Sequence, residues 1–413
     1  MDVHLPRGLL PLGSGGYDRG GDERSPRIPP RGLLQRERAH RVHGRPLHLR
    51  GRSAGASTLM SRVNALTDRC LFMTSPMRSG STLLSRILSA HPGVAMSYDS
   101  LNFFRFCYHR YDPLTDRENL KRLFSDVAYR LLHRFEIPLD VDACLAHMGD
   151  APTYGQAYLS ILRVIFALTG KSIVGDKEVL AWTRIPSFLS MCPNGKAIVI
   201  LRDPRDVVTS FKRLTIAPEP DYLIALFDVM DAVNHAFRFQ AQYPGRVHVV
   251  SFERLSANRE EEARKLCAFL ELEFDPVMLD EAGYTDHVGK PWNVDDALTF
   301  KANDPDRWKT VGRWKQRIEP EDLYLCEWIA GKQIAQLGLE FAGRRHAQDV
   351  FDRAMQKITA SPLMREAFKR WCDLGEGMER FPLNPLDPST WDRGQVKHPQ
   401  AFAAASAGPQ PAI

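Results

Sequence analysis

Small and hydroxyl-bearing residues run from Thr74 to Leu84, between an apolar segment and an amphipathic one. They read TSPMRSGSTLL, and their small side chains let successive backbone N–H groups converge on one anion. The following helix would add the positive end of its dipole. The GxxxxGK[ST] pattern of a Walker A loop is absent, and Arg78 stands before the glycine. We therefore predict a phosphate-binding loop of another type; the alternative is an ordinary capped turn.

A second basic segment follows the apolar run Ala197 to Leu201. It reads RDPRD from Arg202, and its proline fits the first turn of a helix. Ser210 would lie about two turns further along that helix. Because ligands bind at the carboxyl ends of strands in open parallel sheets, Arg202 is predicted to face a ligand. The alternative is an arginine paired with one of the two neighbouring aspartates.

Together the two segments resemble the sulfotransferase superfamily that uses 3′-phosphoadenosine 5′-phosphosulfate (PAPS). Its members carry a loop of the type PRSGTTLL after the first strand and a later strand ending in RDPR, with a Ser eight residues beyond the first Arg. Residues 78–84, RSGSTLL, and the spacing from Arg202 to Ser210 match both features. The resemblance covers residues 68–340 and is closest to the tyrosylprotein, bacterial and carbohydrate branches. The cytosolic branch has Lys at position 78 and Trp at position 83, so adenine stacking on that Trp is not expected.

The resemblance assigns the donor, and its product PAP, to residues of these motifs. Arg202 and Ser210 would hold the 3′-phosphate that distinguishes this donor from ATP. Thr310 and Arg313 lie in a TVGRWK segment similar to one that closes over the donor in many members; the alternative is a basic surface turn. Phe252 stands where relatives have the Tyr of a Tyr-Glu or Tyr-Asp pair near the adenine. The loop residues expected to bind the 5′-phosphosulfate part are Arg78, Ser79, Gly80, Ser81, Thr82 and Leu83.

Sulfuryl transfer requires positive charge at the leaving phosphate oxygen and a proton acceptor for the acceptor hydroxyl. Arg78 is one candidate for the positive charge. Lys177 matches a Lys of the tyrosylprotein branch; the alternative is a solvated Lys paired with Asp176 or Glu178. Asp99 stands where that branch has its catalytic Glu, after a similar HPxV stretch, and we expect it to be the base; the alternative is a capping Asp.

No metal is expected, because transfer from this donor needs none and the histidines lack metal-ligand spacing. His91 is expected to pack or to cap a turn beside Pro92. An aromatic cluster after Asp99 either lines an acceptor pocket or, as is commoner, forms core. The isolated histidines are His133, His147, His235 and His248, and the aromatic residues are Phe103, Phe104, Phe106, Tyr108 and Tyr111.

Strands separated by helices must position these residues. The alternation predicts an α/β protein, a P-loop-like three-layer fold with a central, mainly parallel sheet flanked by helices. The predicted strands are Cys70–Thr74, one near Ile173–Gly175, Ala197–Leu201 and Val247–Ser251, and the predicted helices span 81–90, 260–270 and much of 320–372. The predicted regions are a sulfotransferase domain over 68–342, a helical extension over 343–380 and a flexible tail over 381–413.

The net charge of +5 over 413 residues lies in the first 59, which hold eleven Arg, no Lys and five acidic residues. The rest is nearly neutral, so we expect neither nucleic acid nor a long polyanion as partner. The segment 1–59 is rich in Gly and Pro and is predicted to be disordered. Its acidic residues argue against a transit peptide, and we favour translation that starts at Met60.

The composition, 44% hydrophobic and 25% charged, is typical of a globular protein, and no segment has the apolar length of a membrane span. Seven scattered cysteines without a CxxC pair favour free thiols and a cytoplasmic location. The expected function is a sulfotransferase acting on a hydroxyl acceptor, a carbohydrate or small alcohol. Two alternatives stay open: a small-molecule kinase on the same type of sheet, and a degenerate nucleotide-binding module without activity.

Overall fold

The computed structural model describes residues 69–135, 137–167, 169–213, 219–284, 310–343 and 346–377, apart from the side chains of residues 133 and 134. The predictions for residues 1–59, for a start at Met60 and for the tail 381–413 lie outside these residues. Within the described ranges, no helix is both long and apolar enough to cross a membrane.

Five strands form one parallel sheet. They are β1 Cys70–Thr74, β2 Val94–Tyr98, β3 Ile173–Lys177, β4 Lys196–Leu201 and β5 Val247–Ser251. Their order across the sheet is β2-β3-β1-β4-β5, so β1 is the central strand. Phe72 of β1, for example, pairs with Asp176 of β3 on one side and with Ala197 of β4 on the other. The predicted α/β fold with a parallel sheet is confirmed.

Helices cover both faces of the sheet. The first group, up to the fifth strand, is α1 Ser81–Ala90, α2 Phe103–Phe106, α3 Arg117–Phe135, α4 Val141–Ala146, α5 Tyr154–Phe166, α6 Ile185–Met191, α7 Pro204–Lys212 and α8 Ile224–Gln242. The second group is α9 Phe252–Ala257, α10 Arg259–Leu270, α11 Trp314–Arg317, α12 Pro320–Ile329, α13 Gly331–Gln336, α14 Gln348–Ala360 and α15 Pro362–Leu374. Helix α1 has the predicted bounds.

The central strand is buried on both faces because successive side chains of a strand point to opposite sides. Leu71 and Met73 belong to the smaller core, which α1 and α10 cover. Phe72 belongs to the larger core with residues of α3, α5 and α8. All three side chains have no exposed surface, so their burial stabilises the sheet by about 2 kcal/mol each. This rigid frame holds the carboxyl ends of the strands in a row.

The edge strand β2 was not among the predicted strands. Its sequence, VAMSY, has a short apolar run interrupted by Ser97, and it follows directly after His91, Pro92 and Gly93. Pairing with β3 over its full length makes it a strand all the same. The consequence is that Asp99 stands at the carboxyl end of a strand, where the other site residues also stand.

Buried polar contacts hold the C-terminal region to the rest of the domain and its helices to one another. The carboxylate of Asp231, on α8, accepts hydrogen bonds from the indole N–H of Trp182 at 2.7 Å and from the backbone N–H of Gly377 at 3.1 Å. Lys357 of α14 binds the Asp322 carboxylate of α12 at 2.8 Å. Asp231 therefore links the loop after β3 to the region beyond α15, and a separate contact links α12 to α14.

Candidate functional site

The loop between β1 and α1 has the backbone shape of an anion site. Arg78 and Gly80 adopt positive φ angles, 66° and 89°, and α1 begins at Ser81 without a side-chain cap. The first N–H groups of α1 therefore have no intrahelical partner. The Ser79 hydroxyl is also buried without a hydrogen-bond partner among the described residues. An oxyanion in the loop would satisfy donors of this kind.

Phe252 supports this loop. It is the first residue of α9, and a Cβ added to Gly80 would lie 2.3 Å from its Cδ2 atom, so only glycine fits there. The guanidinium of Arg202 lies over the same ring, with its Cζ 4.6 Å from the centroid. The ring is buried. It therefore packs between the loop and Arg202, and its contact with an adenine stays a prediction.

Arg202 follows β4 directly and joins two parts of the site. Its Nη1 donates to the backbone oxygen of Arg78 at 3.1 Å, and its Nη2 donates to the backbone oxygen of Thr310 at 2.7 Å. Ser210 lies on α7, and its Oγ accepts a hydrogen bond of 3.1 Å from Nε of Arg78. The structure thus brings the two sequence motifs together. The Nε of Arg202 is buried and has no partner within the described part of the chain.

Positive charge is concentrated at this edge of the sheet. Burial lowers the pKa of Arg78, and the charges of Arg202 and Arg213 lower it further. Burial lowers the pKa of Arg202 as well; Asp206 opposes this shift and Arg313 adds to it. A bound anion stabilises like charges that are held close together in buried surroundings. Arg213 was not singled out in the sequence, because it is an exposed residue whose only link to the site, among the described residues, is the effect of its charge on the pKa of Arg78.

The other predicted donor residues lie around this cluster. Ser81 is buried at the start of α1, and Leu83 is half-buried against the smaller core. Thr310 is buried, and the chain turns at Gly312, where φ is 72°. Arg313 then precedes α11 and is half-buried. All of them lie in elements that border the phosphate-binding loop or Arg202, and their contacts with a donor stay predictions.

The predicted catalytic pair lies at the ends of β2 and β3. Asp99 follows β2 with a φ of 54°, and its carboxylate forms an ion pair with Nζ of Lys177. This Nζ also donates to the Thr82 hydroxyl at 3.3 Å. The Lys177 side chain is 3% exposed and that of Asp99 is 37% exposed, so Asp99 is the member that an acceptor can reach. Lys177 is not solvated, and its ion-pair partner is neither Asp176 nor Glu178.

Asp176 and Glu178 form a buried acidic group beside Asp99. Asp176 has no exposed surface, and burial raises its pKa well above the ordinary value, with the charges of Glu178 and Asp99 adding to the effect. Glu178 accepts hydrogen bonds from the backbone N–H groups of Phe104 and Arg105 at 3.1 and 3.0 Å. Burial raises its pKa to about 7. Glu178 therefore anchors α2 beside the predicted catalytic pair, a role that we did not predict from the sequence.

The aromatic residues after Asp99 mainly form core. Phe103, Phe104, Phe106 and Tyr111 are buried, and Phe104 contacts Phe72 of the central strand with ring centroids 5.2 Å apart. Tyr108 is partly buried at the margin of this cluster. The interpretation as core, given as the commoner alternative, is therefore correct for four of the five residues.

His91 has the structural role expected for it. Its Nε2 lies 2.8 Å from the backbone oxygen of Glu273, and its Nδ1 accepts a hydrogen bond from the Gly93 backbone N–H at 2.9 Å. In the residues that the structure describes, no group of three or more His, Cys, Asp or Glu side chains is arranged to hold a metal ion.

A parallel sheet flanked by helices, with a glycine-containing loop between its central strand and the next helix, defines a P-loop-like α/β protein. A family model described as the sulfotransferase family matches residues 71–276. This range contains the five strands except Cys70, the first residue of β1, together with both sequence motifs and the pair Asp99 and Lys177. The chain belongs to the sulfotransferase family.

Several known proteins are similar to this chain. The nodulation protein NoeE of Sinorhizobium fredii is 24% identical over 367 residues, which are 77% of this chain and 77% of NoeE. A Caenorhabditis briggsae protein, named as a candidate protein-tyrosine sulfotransferase, is 24% identical over 217 residues, covering 51% of this chain and 69% of its own. The solved sulfotransferase domain from the curacin biosynthetic pathway is 22% identical, covers 66% of this chain and 98% of its own, and has a TM-score of 0.44.

Proposed function

We propose that this protein transfers a sulfuryl group from PAPS to the hydroxyl of a carbohydrate or other small alcohol. The observation that carries the proposal is the convergence of Arg78, Arg202 and Ser210. The first binds the third directly at 3.1 Å, and the second binds the backbone of the first at 3.1 Å. Arginine and hydroxyl groups that converge in this way are suited to bind a second phosphate, in addition to the one expected in the loop after β1.

The donor fits the residues present. The loop after β1 offers backbone N–H groups and the buried Ser79 hydroxyl to one phosphate-containing group. Arg202 and Ser210 would bind the 3′-phosphate, which ATP and adenosine 5′-monophosphate (AMP) lack. PAPS carries negative charge at both places, so it would relieve the repulsion among the arginines at this edge. PAPS acts here as co-substrate, with PAP as its product and no metal required.

In the proposed reaction, the acceptor oxygen forms a bond to sulfur while the bond between sulfur and the 5′-phosphate oxygen breaks. Asp99, partly exposed, would take the proton of the acceptor hydroxyl. Lys177 and Arg78 would offset the negative charge on the phosphate oxygen that leaves. The ion pair with Lys177 holds the Asp99 carboxylate, and the Val179 backbone N–H donates to its Oδ1 at 3.3 Å.

The acceptor class follows from the charge of the chain. Residues 60–413 carry a net charge of −1, which offers no extended basic surface for nucleic acid or a long polyanion. A small alcohol or carbohydrate is therefore the proposed acceptor. We also propose a cytoplasmic location, on the basis of the odd number of scattered cysteines.

Thermal stabilisation of the full chain by PAP, AMP and ATP tests the donor. A ligand at 100 times its dissociation constant adds about 2.7 kcal/mol to the stability of a protein. Ser210→Ala removes one hydroxyl from the proposed 3′-phosphate site. Ser125→Ala, which removes a hydroxyl bound to the Lys121 carbonyl of α3, is the matched control.

PAP should stabilise the wild type and the control more than AMP does, and Ser210→Ala should reduce this preference. A preference for ATP would overturn the proposal in favour of a small-molecule kinase. Absence of any response to the three nucleotides would overturn it in favour of a degenerate module whose donor site no longer binds these nucleotides.

A further inference from the structure

The segment Thr310–Trp314 is fastened to the beginning of α7. The Arg202 side chain binds the carbonyl of Thr310 at 2.7 Å. The Asp206 carboxylate accepts two backbone hydrogen bonds, from Gly312 at 2.7 Å and from Trp314 at 2.9 Å. Three backbone groups within five residues are therefore held by two side chains of the RDPRD motif. Arg313 lies between the two N–H groups that Asp206 holds.

A second contact fixes the end of the same segment. The Cζ atom of Arg205 lies 4.0 Å from the ring centroid of Trp314. The Arg205 side chain is 2% exposed and donates to the Glu327 carboxylate at 2.9 Å and to the Glu340 carbonyl at 2.8 Å. Trp314 therefore packs against an arginine that is itself held from two sides.

The contacts of Asp206 require a carboxylate. Its side chain is 1% exposed, and its Oδ2 lies 3.7 Å from Nη2 of Arg202, close enough for an ion pair. Each carboxylate oxygen accepts one backbone hydrogen bond of the segment. An asparagine has a single acceptor oxygen, and its NH₂ group would face the other backbone N–H. Replacing Asp206 by Asn therefore breaks one of the two contacts and removes the attraction to Arg202.

We propose that Asp206 is a positioning residue for donor recognition: it holds the segment Thr310–Trp314 against Arg202 and so sets the place of Arg313 at the proposed 3′-phosphate site. This inference rests on the proposed function for the identity of the donor. The position of the segment itself does not depend on that identity. Loss of the contact should release the segment and reduce the ability of the protein to distinguish PAP from AMP.

Amide hydrogen exchange and nucleotide binding test the proposal in the full chain. The variant is Asp206→Asn. The matched control is Asp322→Asn, which alters another buried carboxylate, one that accepts hydrogen bonds from Tyr222 at 2.9 Å and from Lys357 at 2.8 Å. Exchange is measured at the amides of Gly312 and Trp314 without ligand, and the affinities for PAP and AMP are measured by calorimetry.

Asp206→Asn should speed exchange at both amides by about tenfold or more, because one hydrogen bond is lost and the acceptor of the other no longer carries a charge. It should also reduce the ratio of the AMP to the PAP dissociation constant by about tenfold. Asp322→Asn should change neither. The proposal is overturned if Asp206→Asn leaves exchange and the ratio unchanged, or if Asp322→Asn alters them equally. Failure of the wild type to bind PAP would contradict the proposed function, and the exchange rates would still decide whether Asp206 holds the segment.

Discussion

Two halves of the site differ in charge and in the way they are held. The donor half, Arg78, Arg202 and Ser210, is cationic, and its members bind one another and nearby backbone across the ends of β1 and β4. The proposed acceptor half consists of Asp99 and Lys177, with the buried acids Asp176 of β3 and Glu178 just after that strand beside them. It is mainly acidic, and its one lysine is ion-paired to Asp99.

This difference separates two tasks that a group-transfer site must perform. A cluster of arginines held close together in buried surroundings is suited to a ligand that brings negative charge. A carboxylate held by an ion pair and partly open to solvent is suited to accept a proton. The halves meet at Thr82, which belongs to α1 of the donor side and accepts a hydrogen bond from Lys177. Within the described ranges, Asp99 itself has no contact of this kind with the donor half, so its substitution should leave the binding of PAP largely intact.

The sharpest test of this separation is Asp99→Asn. An amide cannot take the proton of the acceptor, so sulfuryl transfer should fall by about a hundredfold or more. PAP affinity should stay within about twofold of the wild type. Transfer from labelled PAPS to an acceptor found by screening, together with calorimetry of PAP, measures both. A comparable loss of PAP affinity would mean that the two halves are not separable.

Gly80→Ala tests the close packing of the donor half. The added Cβ would meet the Phe252 ring at 2.3 Å, and the φ of 89° disfavours any L side chain, so unfolding free energy should fall by about 2 to 3 kcal/mol. Gly170→Ala is the control, because its φ is 67° and no heavy atom lies within 4 Å of the new Cβ. Chemical denaturation should show a loss of only about 1 kcal/mol there. Equal losses would exclude the Phe252 contact as the cause.

Arg202→Lys tests the guanidinium fork at the centre of the donor half. An ammonium cannot reproduce the planar pair of contacts with Arg78 and Thr310, so the PAP dissociation constant should rise by about tenfold. Arg246→Lys is a matched control, because Arg246 holds the carbonyls of Gly195 and Cys192 at the opposite edge of the sheet. It should affect stability but not PAP binding. Calorimetry measures the PAP dissociation constant of both variants. An equal rise of this constant in both would argue against a role of Arg202 that is specific to the site.

The smallest expected effect concerns pH and the acceptor half. The pKa of Glu178 is raised from 4.5 to about 7, so between these values the folded protein binds a proton that the unfolded chain has released. Stability should therefore fall as pH rises from about 4.5 to about 7, and the raised pKa of Asp176 acts in the same direction. Glu178→Gln should make this slope smaller, whereas Glu118→Gln, on the surface of α3, should not. Denaturation midpoints at several pH values measure the slope of stability against pH. A slope that is unchanged in Glu178→Gln would contradict the raised pKa of Glu178.

Much of the fold could be predicted because four of the five strands contain a short apolar run. The edge strand β2 was missed, since Ser97 interrupts its apolar run and pairing with β3 decides its conformation. The sequence also left the ion-pair partner of Lys177 undecided, although a pair with Asp176 could have been excluded. Neighbouring residues of a strand point to opposite faces, so Lys177 and Asp176 cannot meet within β3.

The site could be predicted where its residues are close in sequence and match a motif. The contact between Arg78 and Ser210 required only that both motifs lie at carboxyl ends of neighbouring strands. The buried role of Glu178 and the clustering of Arg213 with Arg78 depend on tertiary packing. Local sequence does not record which helix end will lie across from a given strand, so such residues appear only in three dimensions.

The hydrogen bonds of Asp231 bear on where the functional unit of this chain stops. The matched family segment ends at residue 276, but one oxygen of this carboxylate is bound by Gly377. Its other oxygen is bound by Trp182, in the connection that leaves β3 just after Lys177. A version of the protein trimmed to the family boundary would leave that acid half-unpaired inside the larger core. The end of the matched family segment, residue 276, is therefore not the end of the packed domain, which extends at least to Gly377. A truncation at residue 276 would remove a contact of the domain interior.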